Sequence, residues 1–319
     1  MSAELDNQAV NTLRFLAIDA IEEAQSGHPG LPLGAAPTAY TLYDRVLGFN
    51  PADPDWFNRD RFVLSAGHGS SLLYALLYVF GYDLPLDEIK NFRQWGSRTP
   101  GHPEYGDTPG VETTTGPLGQ GLATAAGMAM GEHFLAARYN RPDFLVIDHH
   151  TYVLCGDGDL MEGISYEAAS LAGHLGLGKL IVLYDDNSIS LEGDLDLAFS
   201  EDIDLRFKSC AWQVLHVADA NDLDTVEAAI QVAIGDPRPS LIRVKSHIGY
   251  GSFKQDHHTA HGEALGAPGV QDTKEKLGWP VEPTFHVPGD VIAHCRAAGD
   301  RGAAAQSACK DCRAAHCVG

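Results

Sequence analysis

Five short β-rich runs, Phe62 to Leu64, Tyr152 to Leu154, Leu180 to Tyr184, Val214 to Val217 and Leu241 to Val244, alternate with helical patterns along the chain. That alternation restricts the fold more than any other feature. Parallel strands need crossovers long enough to hold a helix, and helices laid over both faces bury the sheet from each side. The expected class is therefore α/β, a parallel sheet with helices on both faces. Right-handed crossovers bring the carboxyl ends of the strands, and any ligand, to one edge. Among the helical stretches, Leu5 to Gln25 carries Leu13, Leu16, Ala17, Ala20, Ile21 and Ala24 at helical spacing before Ser26 and Gly27 interrupt it. A second apolar-periodic stretch runs from Leu33 to Val46. Gly119 to Tyr139 is helical in pattern but rich in Ala and Gly, with Gly127 and Gly131 one turn apart. Small residues let another backbone come close, so it reads as a tightly packed internal helix, with a subunit-interface helix as the alternative. Ser97 to Gly121 and Gly249 to Gly269 read as long ordered loops, and both contain histidines.

The sharpest chemical signal starts where the strand Thr151 to Cys155 runs into Gly156, Asp157, Gly158, Asp159, Leu160, Met161, Glu162 and Gly163. A strand, a glycine turn and a helix start present free N–H groups to an anion, and Gly156 and Gly158 keep side chains out of its way. Asp157 can hold a cation against that anion. The next strand ends in Asp185, Asp186 and Asn187, 30 positions after Asp157, which fits one βαβ unit. Mg2+ takes one or two carboxylates plus other oxygens in near-octahedral geometry, so Asp157, the Asn187 amide oxygen and the Ile189 carbonyl form a plausible donor set. A GDG alone is a common turn; the second strand end at this spacing is what makes it a metal-site candidate.

Charge sharpens this reading. Twenty-two Lys plus Arg against 43 Asp plus Glu leave a net charge of -21, which repels nucleic acid and anionic membrane surfaces. The same field repels a diphosphate, so such a ligand needs a metal ion and backbone N–H groups. No apolar run reaches the roughly 20 residues of a membrane helix, and MSAELDNQAV lacks the basic and apolar regions of a secretory signal. A cytoplasmic location is expected, in keeping with sparse cysteine over the main body (Cys155 and Cys210). Cys295, Cys309, Cys312 and Cys317 instead crowd the last stretch.

Four histidines sit in glycine- or proline-flanked turns: His28 in SGHPG, His68 in SAGHGS, His102 in TPGHPE and His261 in TAHGEALG. One loop histidine is ordinarily just solvated, but four in such contexts point to one polar pocket. Zinc is disfavoured there by the long, irregular spacings.

SGHPG, FVLSAGHGS, TPGHPE, ETTTGPLGQG, GDGDLMEG, YDDN and AHGEALG follow one another in the order and approximate spacing of the transketolase family. The resemblance runs from the first helix to about Pro288 and is to the family's amino-terminal, diphosphate-binding domain. Related thiamine enzymes such as the dehydrogenase E1 components share only the GDG-to-Asn pattern. The resemblance implies a thiamine-diphosphate-binding fold over residues 1–288, with residues 289–319 as a divergent, linker-like tail. It implies Mg2+, or Ca2+ in its place, on Asp157, Asn187 and the Ile189 carbonyl. His68, Gly158 and His261 would contact the diphosphate, Gly116 and Leu118 would line the cofactor, and Leu191 and Ile248 would flank the thiazolium. His28, His68, His102 and His261 would surround the sugar hydroxyls as proton-relaying catalytic groups. Glu162 and Glu167 resemble acids near the subunit interface that link the two cofactors, Glu162 being counted with both the catalytic and the cofactor-binding residues.

In that family the cofactor lies between this domain and a pyrimidine-binding domain of the other subunit, and no such domain follows Pro288 in this sequence. The tail IAHCRAAGDRGAAAQSACKDCRAAHCVG reads as a fraying helix, or as a zinc site of Cys309, Cys312, His316 and Cys317. The expected function is the thiamine diphosphate and Mg2+ half of a transketolase acting on sugar phosphates, as a homodimer or with a chain that supplies the pyrimidine-binding domain. The alternative is a non-catalytic cofactor-binding module or a relic. Neither a nucleic acid nor a membrane is an expected partner.

Overall fold

The computed structural model describes residues 3–142, 144–190 and 193–316, with 309–316 as backbone alone. In chain order the elements are α1 (Ala3–Ala24), α2 (Gly30–Thr41), β1 (Arg61–Leu64), α3 (Ser70–Val79), α4 (Leu86–Lys90) and α5 (Gln120–Tyr139). Then come β2 (Thr151–Cys155), α6 (Asp157–Met161), α7 (Gly163–Leu175), β3 (Leu180–Asp186) and the short hairpin β4 (Ile189–Ser190) and β5 (Gly193–Asp194). The chain continues through α8 (Ile203–Ser209), β6 (Gln213–Val217), α9 (Leu223–Ile234), β7 (Ser240–Lys245), α10 (Ala267–Lys276) and α11 (Gly289–His316).

The five expected strands form one parallel sheet in the order β1-β2-β3-β7-β6. Strand alternation sorts their side chains by face. Phe62, Leu64, Tyr152, Leu154, Ile181, Leu183, Ile242 and Val244 enter the core shared with α1, α2, α3 and α9. Val63, Val153, Cys155, Val182, Tyr184 and Leu241 enter the opposite core, under α5, α7 and α8. Both faces are dry, which is why the strands read as continuous apolar runs.

The second helix begins three residues before the periodic stretch, at Gly30, and closes in a π turn over Leu42–Val46. Pro32 fits its first turn because that N–H has no helical acceptor to lose. Pro37 lies inside the helix and leaves the Leu33 carbonyl without its usual donor. The buried Arg14 Nε donates to that carbonyl at 2.9 Å, so α1 repairs the break in α2.

The reading of α5 as an internal helix is corrected by its orientation. Leu122, Ala125, Ala126 and Ala129 are buried, whereas Gly127 and Gly131 face outward with nothing within 4 Å of where a Cβ would stand. Periodicity could not decide this, because Ala and Gly occur on both faces of the helix.

Past Pro288 the chain does not leave the domain at once. Val291, Cys295 and Ala298, on the first turns of α11, are buried in the larger core. The side chains of Cys309, Cys312 and His316, and all of Cys317, lie outside what is described. No helix among the described residues is long and apolar enough to cross a membrane.

Candidate functional site

Cys155 of β2 pairs with Tyr184 of β3, so Asp157 and Asn187 leave neighbouring strands at the same sheet edge. Asp157 opens α6 and is buried. Its Oδ1 accepts a short hydrogen bond from the Tyr184 hydroxyl, while its Oδ2 is buried with no hydrogen-bond partner. Burial, with Asp185 and Asp186 nearby, pushes the Asp157 carboxyl up to about 7. An oxygen without a donor, on a carboxylate crowded by other acids, fits a cation ligand. Asn187 is pinned from both ends: its Nδ2 donates to Asp185 Oδ2 at 3.0 Å, and its Oδ1 accepts from the Ile189 N–H at 3.0 Å. Asp185 is held in turn by Ser246, whose Oγ donates to Oδ1 at 2.5 Å. The amide oxygen keeps a second lone pair for a metal.

Around this edge the glycines mark where backbone and ligand must pass closely. A Cβ on Gly158 would stand 2.9 Å from Leu118 Cδ1, so the GDG turn and the loop carrying Gly116 and Leu118 are in contact. Gly116 has φ +148°, a backbone open to glycine, and a Cβ there would press on His102 at 3.4 Å. Ile248 is buried and packs with Ile189 and Ala260, tying the hairpin after Asn187 to the loop after β7. Leu191 lies outside the described residues.

The four loop histidines converge. The rings of His28 and His68 are 5.2 Å apart between centroids, His28 and His261 5.6 Å, His68 and His261 4.9 Å, and His28 and His102 6.5 Å. His28 Nδ1 lies 3.2 Å from the His261 carbonyl. Partial burial lowers all four below the ordinary imidazole value, His28 to about 4, with His261 and Arg93 adding repulsion there. At neutral pH the cluster is uncharged, able both to accept and to donate protons. Glu162, just before α7, and Glu167, on its second turn, are exposed, Glu162 beside Gly119, and among the described residues neither carboxylate has a hydrogen-bonding partner.

Two residues at this edge were not singled out by sequence reasoning. Asp159 is fully buried: its Oδ1 accepts from Ser65 Oγ at 2.6 Å and the Gly119 N–H at 2.8 Å, and its Oδ2 from the Gly156 N–H at 3.0 Å. It ties the end of β1, the loop before α5 and the GDG turn together. The only signal was the second acid of GDGD. Arg93, at φ 62°, holds Ser26 Oγ at 3.0 Å and places its charge beside His28 and His102. Nothing local distinguishes it from a solvated arginine, since its neighbours come from distant turns.

The sequence profile described as "Transketolase, thiamine diphosphate binding domain" matches residues 5–317. Transketolase of Halalkalibacterium halodurans is 59% identical over 304 residues, covering 95% of this chain and 46% of that protein. The chloroplastic transketolase of Spinacia oleracea is 57% identical over 296 residues, covering 91% of this chain and 40% of that one. Among solved structures, a Pichia stipitis transketolase in complex with sedoheptulose 7-phosphate aligns with a TM-score of 0.96 at 47% identity, covering 98% of this chain and 46% of that one. The chain thus spans about half the length of the curated relatives it matches. With the strand-end acids, the glycine turns and the histidine cluster all on one sheet edge, and a profile match over nearly its whole length, this chain belongs to the transketolase family as its thiamine diphosphate-binding domain.

Proposed function

We propose that this domain holds Mg2+ and the diphosphate of thiamine diphosphate, and that with a pyrimidine-binding domain on another chain it transfers a two-carbon ketol unit between sugar phosphates. The observation that carries the reading is the buried, unpartnered Asp157 Oδ2 beside the pinned Asn187 amide. Asp157, Asn187 and the Ile189 carbonyl would take the metal, which offsets the acidic field and presents a positive charge to the diphosphate. Gly158 and the first N–H groups of α6 admit that anion, with His68 and His261 beside it, while Gly116, Leu118 and Ile248 line the rest of the cofactor. When bound, thiamine diphosphate supplies a nucleophilic thiazolium carbon that carries the two-carbon unit. His28, His68, His102 and His261, held neutral, move protons at the sugar hydroxyls as the carbon bond breaks and re-forms. Arg93 adds a cation at the rim of that cluster for an anionic sugar.

An interface reading of α5 and α7 supports the need for a partner. Met130, Phe134 and Tyr139 on α5 and Ile164, Leu171 and Leu175 on α7 are exposed, next to the outward-facing Gly127 and Gly131. Two packed helices presenting this much apolar surface fit burial against a second copy or a pyrimidine-binding chain, with Glu162 and Glu167 at its edge.

Calorimetry with thiamine diphosphate and Mg2+ tests the cofactor half: binding is metal-dependent and Asp157→Ala abolishes it. Mixing the chain with one carrying the pyrimidine-binding and carboxy-terminal domains tests the rest. Ketol transfer from xylulose 5-phosphate to ribose 5-phosphate appears only in the mixture, and His102→Ala reduces that turnover while leaving cofactor affinity within twofold. Cofactor binding without transfer in the mixture would make this a non-catalytic module.

A further inference from the structure

A second constellation of donor groups lies among residues that the thiamine site does not use. Asp6 of α1, Asp44 of the π turn after α2 and His294 of α11 place one ligand atom each within 4.8 Å of one another. His294 Nε2 is 2.9 Å from Asp44 Oδ1. The Tyr40 hydroxyl donates to Asp6 Oδ1 at 2.7 Å and lies 3.2 Å from the same His294 nitrogen. The second, independent observation is Asp44 Oδ2. That side chain is 2% exposed, and this oxygen is buried with no hydrogen-bond partner. A purely structural polar cluster would be expected to satisfy it, since leaving a buried carboxylate oxygen without a partner is costly.

The surroundings favour a cation. A cavity of about 750 Å³ lies against Asp6 and Asp44, and its wall also carries Asp222, Asp224 and Glu227 against Arg14, Arg45 and Arg301. Acid exceeds base there by two charges, the deficit that one divalent ion would fill. Arg45 does not block the position: it binds Asp6 through Oδ2 at 2.9 Å and spreads its charge over Asp224 and Glu227, leaving Asp6 Oδ1 toward Tyr40 and His294.

We propose that Asp6, Asp44 and His294 bind a divalent transition ion of the zinc type, which staples α11 to α1 and α2. An imidazole nitrogen with two carboxylates suits Zn2+, Co2+ or Mn2+ and disfavours Mg2+ and Ca2+, which take oxygen alone. His294 would bind through a neutral Nε2 with its proton on Nδ1, so that the ion takes the place of the hydrogen between Nε2 and Asp44 Oδ1. Water from the cavity completes the coordination. The role is structural: three segments distant in sequence become one cross-linked unit.

The test uses the full chain carrying Asp157→Ala with Cys309→Ser, Cys312→Ser and Cys317→Ser, the parent here, so that neither the strand-edge site nor tail thiols can bind the probe. Titration with Co2+ followed by visible absorption should show one equivalent bound, without a thiolate-to-cobalt charge-transfer band, and Zn2+ should displace it. His294→Gln and the isosteric Asp44→Asn should each weaken binding at least tenfold. Zinc should raise the melting temperature of the parent and not of either variant, and melting without metal shows that both variants fold. No stoichiometric binding by the parent overturns the proposal, as does parent-like affinity in both variants.

Discussion

Replacing Asp159 by asparagine isolates the polar role of one buried carboxylate, because the side chain keeps its volume and leaves no cavity. Asp159 accepts three hydrogen bonds, from Ser65 Oγ, the Gly119 N–H and the Gly156 N–H. An amide offers one oxygen and one NH2 group, so in its better orientation the nitrogen faces the Gly156 N–H. One charge-assisted bond is lost and two donors oppose each other. A hydrogen bond to a charged group is worth about 1.5–3 kcal/mol and a buried unpaired donor costs about 1–3 kcal/mol. Burial also raises the Asp159 carboxyl, so removing the charge returns part of that loss. The expected net destabilisation is about 2 kcal/mol, read as a lower urea midpoint at unchanged slope. Because the Gly119 and Gly156 turns carry Leu118, Asp157 and Gly158, thiamine diphosphate affinity should fall about tenfold as well, by the conversion of about 1.4 kcal/mol per decade. A change under about 0.5 kcal/mol with unaltered affinity would refute the reasoning, since surface-like substitutions lie within that range.

Two further outcomes follow from other parts of the fold. Lys274 and Asp19 form a fully buried ion pair at 2.7 Å, with Asp19 also accepting from the Phe285 N–H. Lys274→Met should cost about 3–5 kcal/mol in urea unfolding, and adding Asp19→Asn should recover part of it; a loss below about 1 kcal/mol would sink this account. The pH dependence has a definite sign. His149 and His150 are held at about 3 and 4, chiefly by burial, whereas an unfolded imidazole protonates near 6.5. The unfolded chain therefore binds more protons below that value, and stability falls from pH 6.5 down to about 4, with no contribution from these groups at alkaline pH. Urea midpoints measured across this window should flatten in His149→Gln; an unchanged slope would show that other groups govern acid unfolding.

The sheet was legible because each strand carries its evidence locally: Phe62 and Val63, or Leu154 and Cys155, are neighbours in sequence and point to opposite cores. The GDG turn and the Asp185 to Asn187 strand end were legible for a similar reason, since one βαβ unit fixes their relation. Arg93 and Asp159 were not. Asp159 acts through Ser65, 94 positions away, and Gly119, 40 positions away, and no pattern of nearby residues encodes those meetings. The orientation of α5 escaped too, because glycine and alanine leave no amphipathic contrast from which to choose a buried side.

Strand alternation, glycine turns and motif order are local properties, so the parallel sheet, the strand end proposed for the cation and the kinship of the chain could all be read before any contact was known. Which oxygen of Asp157 is left without a partner, how four distant histidines come within ring contact, and that the glycines of α5 look outward emerged from the folded chain alone. Those outcomes depend on long-range packing, in which the burial of one segment sets the charge and hydrogen bonding of another.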